Sequence, residues 1–195
     1  MPESDTAGAV TVPALRTILK DQYHACLTML KSAIEQCPDD LWVSTEYTNP
    51  YWRVVYHTLY FVHLYSRTHA AGFVAWDKHQ TGIQDMDDMP APPDIQDLTE
   101  PAHRPPSGED LRPQTGKPYS KQEMLEYWRV CDDMVDESID ALDLTSADSG
   151  FSWYPISKLE HQIVAIRHIA HHTAQLSDRL RSAIDAGVDW VGRRR

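Results

Sequence analysis

The sequence predicts an all-α protein, a four-helix bundle with a long proline-rich connection between its second and third helices. Four segments repeat apolar residues at spacings of three and four, which is the period of a helix. Most of the thirteen prolines fall between the second and third of these segments, where no ordinary helix survives. The length of 195 residues suits one hydrophobic core, so we expect a single domain over residues 1–195.

The first two predicted helices are bounded by prolines. Helix 1 spans 12–37, with Pro13 in its first turn and Pro38 as its stop. Helix 2 spans 50–74, with Asn49 as its cap before a first-turn proline. The segment YWRVVYHTLYFVHLY in helix 2 is apolar almost all round, which is typical of a helix buried on several sides. Its β-branched and aromatic residues would also suit a strand, but the length of the run favours a helix.

The proline-rich connection, 75–119, separates these helices from the second half of the chain. A connection this long in a compact domain is usually functional or flexible, and we expect it to pack over one end of the bundle. Helix 3 follows over 120–143, where Ser120 and Glu123 form a capping box. Its acidic residues fall mainly outside the apolar stripe and predict a solvated face: Asp132, Asp133, Asp136, Glu137 and Asp140.

Helix 4 is predicted over 156–186. Either Pro155 or Ser157 lies near its start, and Gly187 lies near its end. With this helix the pattern contains four long amphipathic segments, enough to enclose one core.

Composition disfavours several classes of function. The net charge of −11 disfavours nucleic-acid binding, and the only basic cluster, 193–195, is typical of a solvated tail. The three cysteines are far apart and form no C-x-x-C pair, so reduced thiols in a cytoplasmic protein are expected. The N-terminal MPESDTAGAV lacks the apolar run of a signal peptide, and no stretch is apolar enough to span a membrane.

Ten histidines are unusual for this length, and two of them are spaced as metal ligands. His168 and His172 in helix 4 are four residues apart, about 40° around the helix axis and ~6 Å along it, so both rings can reach one ion. A chain of this length with ten histidines should contain about 0.5 pairs at this spacing by chance, so the pair alone is weak evidence and needs structural context. His171 competes, because a spacing of three is also usable, but it lies beside the stripe that His168 shares with Ala165 and Leu176.

A third ligand must come from another helix, and His57 in the apolar helix 2 is the candidate. An ionisable ring there must be neutral and hydrogen-bonded or bound to metal, and the paired histidines favour metal. His63 lies roughly 120° around the helix axis from His57, so it cannot easily join the same site. His161 lies about two turns from His168, where it could line a cavity but should not coordinate the metal. The remaining histidines have no partner at ligand spacing and are predicted at the surface or in loops: His24, His69, His79 and His103.

Three histidines leave open positions on a metal. Closed structural zinc sites usually have four protein ligands, whereas three ligands plus water are typical of catalytic sites. The ligand type favours zinc or nickel, with iron, manganese or cobalt as further candidates.

Two motifs carry a resemblance to a known family: His57 in VVYHTLYF, and His168, His171, His172 and Gln175 in HIAHHTAQL. With these motifs the chain resembles the DinB-like superfamily of metal-binding four-helix bundles, and the resemblance does not extend to the proline-rich stretch. It implies an up-up-down-down bundle, a metal held by three histidines and frequent homodimers. Some members are thiol transferases that use bacillithiol, mycothiol or glutathione. The sequence departs from the family in its long linker and in an alanine where many members have glycine before the glutamine.

Two functions follow from this prediction. The first is a metal-dependent thiol S-transferase or hydrolase acting on a small electrophilic substrate, for which no general base is evident. The second is a non-catalytic, stress-related binding or scaffold protein whose metal is structural or absent. A third interpretation makes the histidines ordinary core and surface residues. The candidate cavity walls are Tyr60, Phe61, Tyr127, Trp128, His161 and Gln175.

Overall fold

The computed structural model describes residues 10–86 and 116–194. These residues form α-helices and no strand, which confirms the all-α prediction. The predicted proline-rich loop lies largely in 87–115, outside the described residues, as does His103. The helices are α1 (Val12–Gln36), α2 (Asp39–Trp42), α3 (Tyr51–Tyr65), α4 (Lys121–Ala141) and α5 (Lys158–Ile184).

Hydroxyl side chains cap three of the long helices. Thr11 accepts a hydrogen bond from the Ala14 amide at the start of α1. Ser120 and Glu123 form the predicted capping box at the start of α4. Ser157 caps α5, which resolves the choice between Pro155 and Ser157. Each cap satisfies backbone amides that have no partner inside the helix, and so fixes where the helix begins.

The second predicted helix, 50–74, is too long. Beyond α3 the backbone bonds to the connector between α4 and α5 and to the first residue of α5, instead of continuing the helix. The Lys158 ammonium donates to the Thr68 carbonyl at 2.5 Å, and the Ala70 amide donates to the Gly150 carbonyl at 3.1 Å. These contacts come from distant parts of the chain, and they replace helical hydrogen bonds just past the last turn.

The segment that leads into α3 also differs from the prediction. Pro50 is the N-cap residue of α3 and no side chain caps this helix, so the assignment of Asn49 as the cap is wrong. The Asn49 carbonyl instead accepts a hydrogen bond from Arg179 on α5 at 2.8 Å. The short helix α2 follows Pro38 and was not predicted, because one turn is too short for a periodic pattern.

The four long helices enclose the core, with α1 and α3 each packed against both α4 and α5. None of the helices in the described part of the chain is both long and apolar enough to cross a membrane. The large, fully buried side chains of this core are Tyr23, Tyr51, Tyr56, Tyr65, Tyr127, Phe151, Leu27, Leu30, Ile34, Leu59, Ile83 and Met124.

Contacts between helix ends show how α1, α3 and α4 run. Arg16 near the start of α1 donates to the Leu142 carbonyl just past α4, at 3.0 Å. The hydroxyl of Tyr51, the first residue of α3, donates to the Ala33 carbonyl near the end of α1, at 2.9 Å. An up-up-down-down order would require α1 and α3 to begin at the same end of the molecule. The contact of Tyr51 differs from that expectation, because the short segment that contains α2 brings the start of α3 near the end of α1.

Candidate metal centre

His57, His168 and His172 come together where α3 faces α5. The Nε2 atom of His168 lies 3.0 Å from Nε2 of His57 and 3.0 Å from Nε2 of His172. The ligand atoms of all three side chains lie within 4.8 Å of one another. The three residues named from spacing and hydropathy therefore form one group that could hold a metal ion.

The buried faces of α3 and α5 bring these three rings together. On α5, His168 and His172 follow one another by a single turn, beside the buried Ile169 and Leu176. On α3 nearly every side chain is buried, and His57 is 5% exposed. His172 is 2% exposed and His168 is partly exposed, so the group reaches the surface on the α5 side.

Hydrogen bonds fix the orientation of two of the rings. Nδ1 of His57 lies 2.6 Å from the Gln84 carbonyl oxygen. A carbonyl only accepts, so Nδ1 carries the proton and the Nε2 lone pair points at the other histidines. Nδ1 of His172 makes the same kind of contact with Oε1 of Gln175, at 2.7 Å. Such partners on the second nitrogen are typical of metal-ligating histidines.

The electrostatics of the group favour a cation. With the protons of His57 and His172 on Nδ1, both Nε2 atoms present lone pairs to His168. An Nε2–H on His168 can be donated to only one of these two lone pairs, whereas a cation at the centre attracts the lone pairs of all three rings. A metal bonded at about 2.0–2.1 Å in tetrahedral geometry requires nitrogen atoms roughly 3.3 Å apart, close to the two distances of 3.0 Å that His168 makes. The residues present therefore fit a divalent metal.

The walls around the group differ on its two sides. The Phe61 ring lies 4.8 Å from the ring of His57 and 5.5 Å from that of His168, which makes the α3 side apolar. On the α5 side, the exposed His171 lies 4.9 Å from the ring of His172. His171 is thus a neighbour of the group and not one of its three members.

Among the predicted cavity walls, Phe61 and Gln175 contact the group directly. Tyr60 is one ring further away, with its centroid 5.4 Å from that of Phe61. Trp128 lies between α4 and α1, where its indole donates to the Leu27 carbonyl at 2.8 Å. The placement of Trp128 at the cavity is therefore wrong: its side of α4 faces α1, and helix periodicity alone does not identify the partner helix.

Two other predicted residues pack against rings of the core further from the three histidines. The Tyr127 ring stacks on Trp76 at 4.6 Å. His161 packs between Tyr65 and Phe151, at 4.8 and 4.6 Å, and contributes to the core at the far end of α3. Burial, with the Lys158 charge as a second cause, lowers the pKa of His161 to about 4.

His63, the rival of His57 on α3, is also separate from the group. Its Nδ1 lies 3.3 Å from the Tyr127 hydroxyl, and Arg67 donates to its Nε2 at 2.9 Å. Burial, and then the Arg67 charge, lower its pKa to about 4, which keeps the ring neutral at pH 7.

One histidine predicted at the surface or in a loop is packed between helices instead. His24 is 7% exposed, and its two nitrogens lie 2.7 Å from Asp132 and 3.1 Å from Asp136. Part of the predicted solvated acidic face therefore contacts α1. The prediction failed for His24 because its partners are distant in sequence. His79 lies in a loop, as predicted, where it is half-buried and bonds to the Tyr56 hydroxyl.

Gln84 is the site residue that sequence reasoning missed. It acts through its backbone carbonyl, and any residue type supplies a carbonyl, so no residue pattern could have identified it. Its side chain is buried and accepts a hydrogen bond from the Gly82 amide at 3.0 Å. That contact fixes the turn which presents the carbonyl to His57.

Fold and site together define an all-helical protein with a three-histidine group that could hold a metal ion. No protein-family model matches the chain, and neither the curated proteins nor the solved structures contain a significant match.

Proposed function

We propose that this protein binds one divalent metal through His57, His168 and His172, with zinc or nickel favoured and iron, manganese or cobalt as alternatives. The observation that carries the proposal is the convergence of the three Nε2 atoms. The hydrogen bonds of Gln84 and Gln175 support it, because they hold two rings in the tautomer that ligation requires.

We further propose a metal-dependent thiol S-transferase or hydrolase that acts on a small electrophile. A metal with three protein ligands supplies a Lewis acid with room for a water or a thiolate. The partly exposed His168 supports access for a small molecule. Burial raises the pKa of Cys26, Cys37 and Cys131, so the chain's own thiols are poor nucleophiles and the thiol would be an added small molecule.

The chain's own residues have distinct parts in this proposal. Phe61 covers the inner side of the group and excludes water from it. Gln84 and Gln175 hold the proton of a ring on Nδ1 and so keep the opposite nitrogen available. His171 is exposed beside His172 and forms part of the solvent side of the group.

The helix contacts support a closed four-helix bundle as the scaffold. In the order we propose, α1 and α5 run one way and α3 and α4 the other. The start of α3 contacts the end of α5 through Asn49 and Arg179, and the end of α1 through Tyr51 and Ala33. These contacts support parallel directions for α1 and α5. Membership of the DinB-like superfamily, a homodimer and a cytoplasmic location remain predictions from the resemblance and composition.

Cobalt substitution tests both parts of the proposal. Purified protein stripped with chelator and loaded with Co²⁺ should show visible absorption bands from about one ion per chain. These bands should be lost in His57→Ala, His168→Ala and His172→Ala. The matched control is His171→Ala, which removes a neighbouring histidine of the same helix and should keep them. Loss of cobalt binding in the control alone, or absence of binding in the wild type, would contradict the site.

Addition of a small thiol to the cobalt protein then separates the two functions. A new sulfur-to-cobalt charge-transfer band supports the transferase. An unchanged spectrum with glutathione, mycothiol and bacillithiol in turn would count against it and favour a binding or scaffold protein.

A further inference from the structure

Two successive backbone carbonyls outside the helices are held by one face of α3. Nδ1 of His57 donates to the Gln84 carbonyl at 2.6 Å, and Nη2 of Arg53 donates to the Asp85 carbonyl, also at 2.6 Å. Arg53 precedes His57 by one helical turn, so the two side chains project from the same face of α3. Both are buried, with 6% and 5% of their surface exposed.

The segment that supplies these carbonyls, 76–86, is fixed to its surroundings. The Tyr119 hydroxyl donates to the Lys78 carbonyl at 2.6 Å. Gln80 exchanges two hydrogen bonds with the backbone of Lys117, each of 2.9 Å. These contacts hold the segment against the start of α4, so its carbonyls have a fixed position relative to α3.

We propose that Arg53 is a positioning residue for the metal site, an inference that rests on the proposed function. By holding the Asp85 carbonyl, the guanidinium orients the adjoining peptide that carries the Gln84 carbonyl. The Gln84 carbonyl then keeps the His57 proton on Nδ1 and turns Nε2 toward the paired histidines of α5. Partners of this kind typically change metal affinity by about 10- to 100-fold when they are removed.

The geometry explains why an arginine stands at this position. A guanidinium is planar and always charged, so it can hold a buried carbonyl in a defined direction, whereas an ammonium acts as a compact charge on a flexible stem. Lysine at position 53 should therefore preserve the positive charge but hold the Asp85 carbonyl in a less defined direction.

The test compares Arg53→Met with Arg16→Met. Arg16 is the matched control, because it also donates to a backbone carbonyl, that of Leu142 at 3.0 Å, at the contact between α1 and α4. The dissociation constant for Zn²⁺ is measured by competition with a chromophoric chelator. We expect Arg53→Met to bind zinc about 10- to 100-fold more weakly than the wild type, and Arg16→Met to bind it with nearly wild-type affinity.

A second measurement tests the positioning role of Arg53 without zinc. Nitrogen-resolved NMR of the metal-free protein reports which nitrogen of His57 carries the proton. Nδ1 should be protonated in the wild type, and this preference should be lost in Arg53→Met. If Arg53→Met does not fold, Arg53→Lys takes its place in both measurements, with a smaller loss of affinity.

The outcomes separate the two proposals. A wild type that binds no zinc overturns the proposed function, and the NMR result then decides the positioning role by itself. Wild-type zinc affinity in a folded Arg53 variant, or an unchanged His57 tautomer, overturns the positioning role while the metal site stands.

Discussion

His161 is a buried histidine whose surroundings oppose its protonation. Its side chain is fully enclosed, and Nε2 has no hydrogen-bond partner among the described residues. Burial lowers its pKa to about 4, against about 6.5 in an unfolded chain. Below pH 6.5 the unfolded chain therefore binds a proton at His161 that the native state does not bind. The contribution of neutral His161 to the free energy of unfolding is fully present above pH 6.5 and is lost as the pH falls toward 4.

We predict that His161→Phe makes the protein less sensitive to acid. Phenylalanine fits among Tyr65 and Phe151 and has no proton to bind, so the free energy of unfolding should change little at pH 7.5. Between pH 7.5 and 5 the wild type should lose on the order of 2 kcal/mol more than the variant, by the linkage relation. Urea unfolding of chelator-treated protein at both pH values measures this difference.

Substitution of the exposed His69 by glutamine serves as the control, since it removes an imidazole without removing a buried one. His63, whose pKa is also lowered to about 4, keeps part of the acid sensitivity in every variant. Equal losses in His161→Phe and the wild type would show that His161 is protonated in the native state.

The three histidines of the group were predictable because local chemistry marks them. His168 and His172 are a helical pair, and His57 is an ionisable ring in an apolar helix. The second contact of His57 was not predictable, because Gln84 contributes only a backbone carbonyl. The burial of His24 escaped prediction for a related reason: its partner Asp132 lies on another helix, and an acidic helix face is usually solvated.

At the scale of elements, the connector between α4 and α5 determines where α3 ends. Gly150 has φ of +81°, and a Cβ added there would lie 2.1 Å from the Thr68 carbonyl oxygen. The Lys158 ammonium, 4% exposed as a residue, donates to that carbonyl and to the carbonyl of Ser149. Glycine thus allows a close approach between two loops, and the lysine satisfies the carbonyls that the approach buries.

We predict that Gly150→Ala destabilises the protein by about 3 kcal/mol or more, the sum of left-handed backbone strain and a clash. Gly72→Ala separates these causes, because Gly72 has φ of +80° and nothing within 4 Å of the added Cβ. That control should lose only about 1–2 kcal/mol. Chemical denaturation of both variants measures the difference, and equal losses would mean that the loops separate at little cost.

The boundary of α3 also shows the limit of a sequence pattern. The apolar run indicated a helix, and its core is one. Its end is set by Thr68 and Ala70, which bond to residues far along the chain. The starts of α4 and α5 were predictable within two residues, because Ser120 and Ser157 cap them with side chains close in sequence.

At the scale of the whole molecule, the histidine group joins parts of the chain that are distant in sequence. It contains one ring from α3 and two from α5, and the 76–86 segment holds the first of them through Gln84. A metal bound there would link these parts in the native state only, because the unfolded chain does not keep the three rings together. Metal binding should therefore raise the free energy of unfolding of the whole protein.

We predict that zinc raises the melting temperature of the chelator-stripped protein. At a free concentration 100 times the dissociation constant, a single site adds about 2.7 kcal/mol. For a chain of this size that is a rise of roughly 5–10 °C. Scanning calorimetry of the wild type, His172→Ala and His171→Ala checks it. The first variant should show no rise, since it lacks a ligand, whereas the second should match the wild type. A rise of the same size in His172→Ala would place the stabilising zinc elsewhere on this acidic chain.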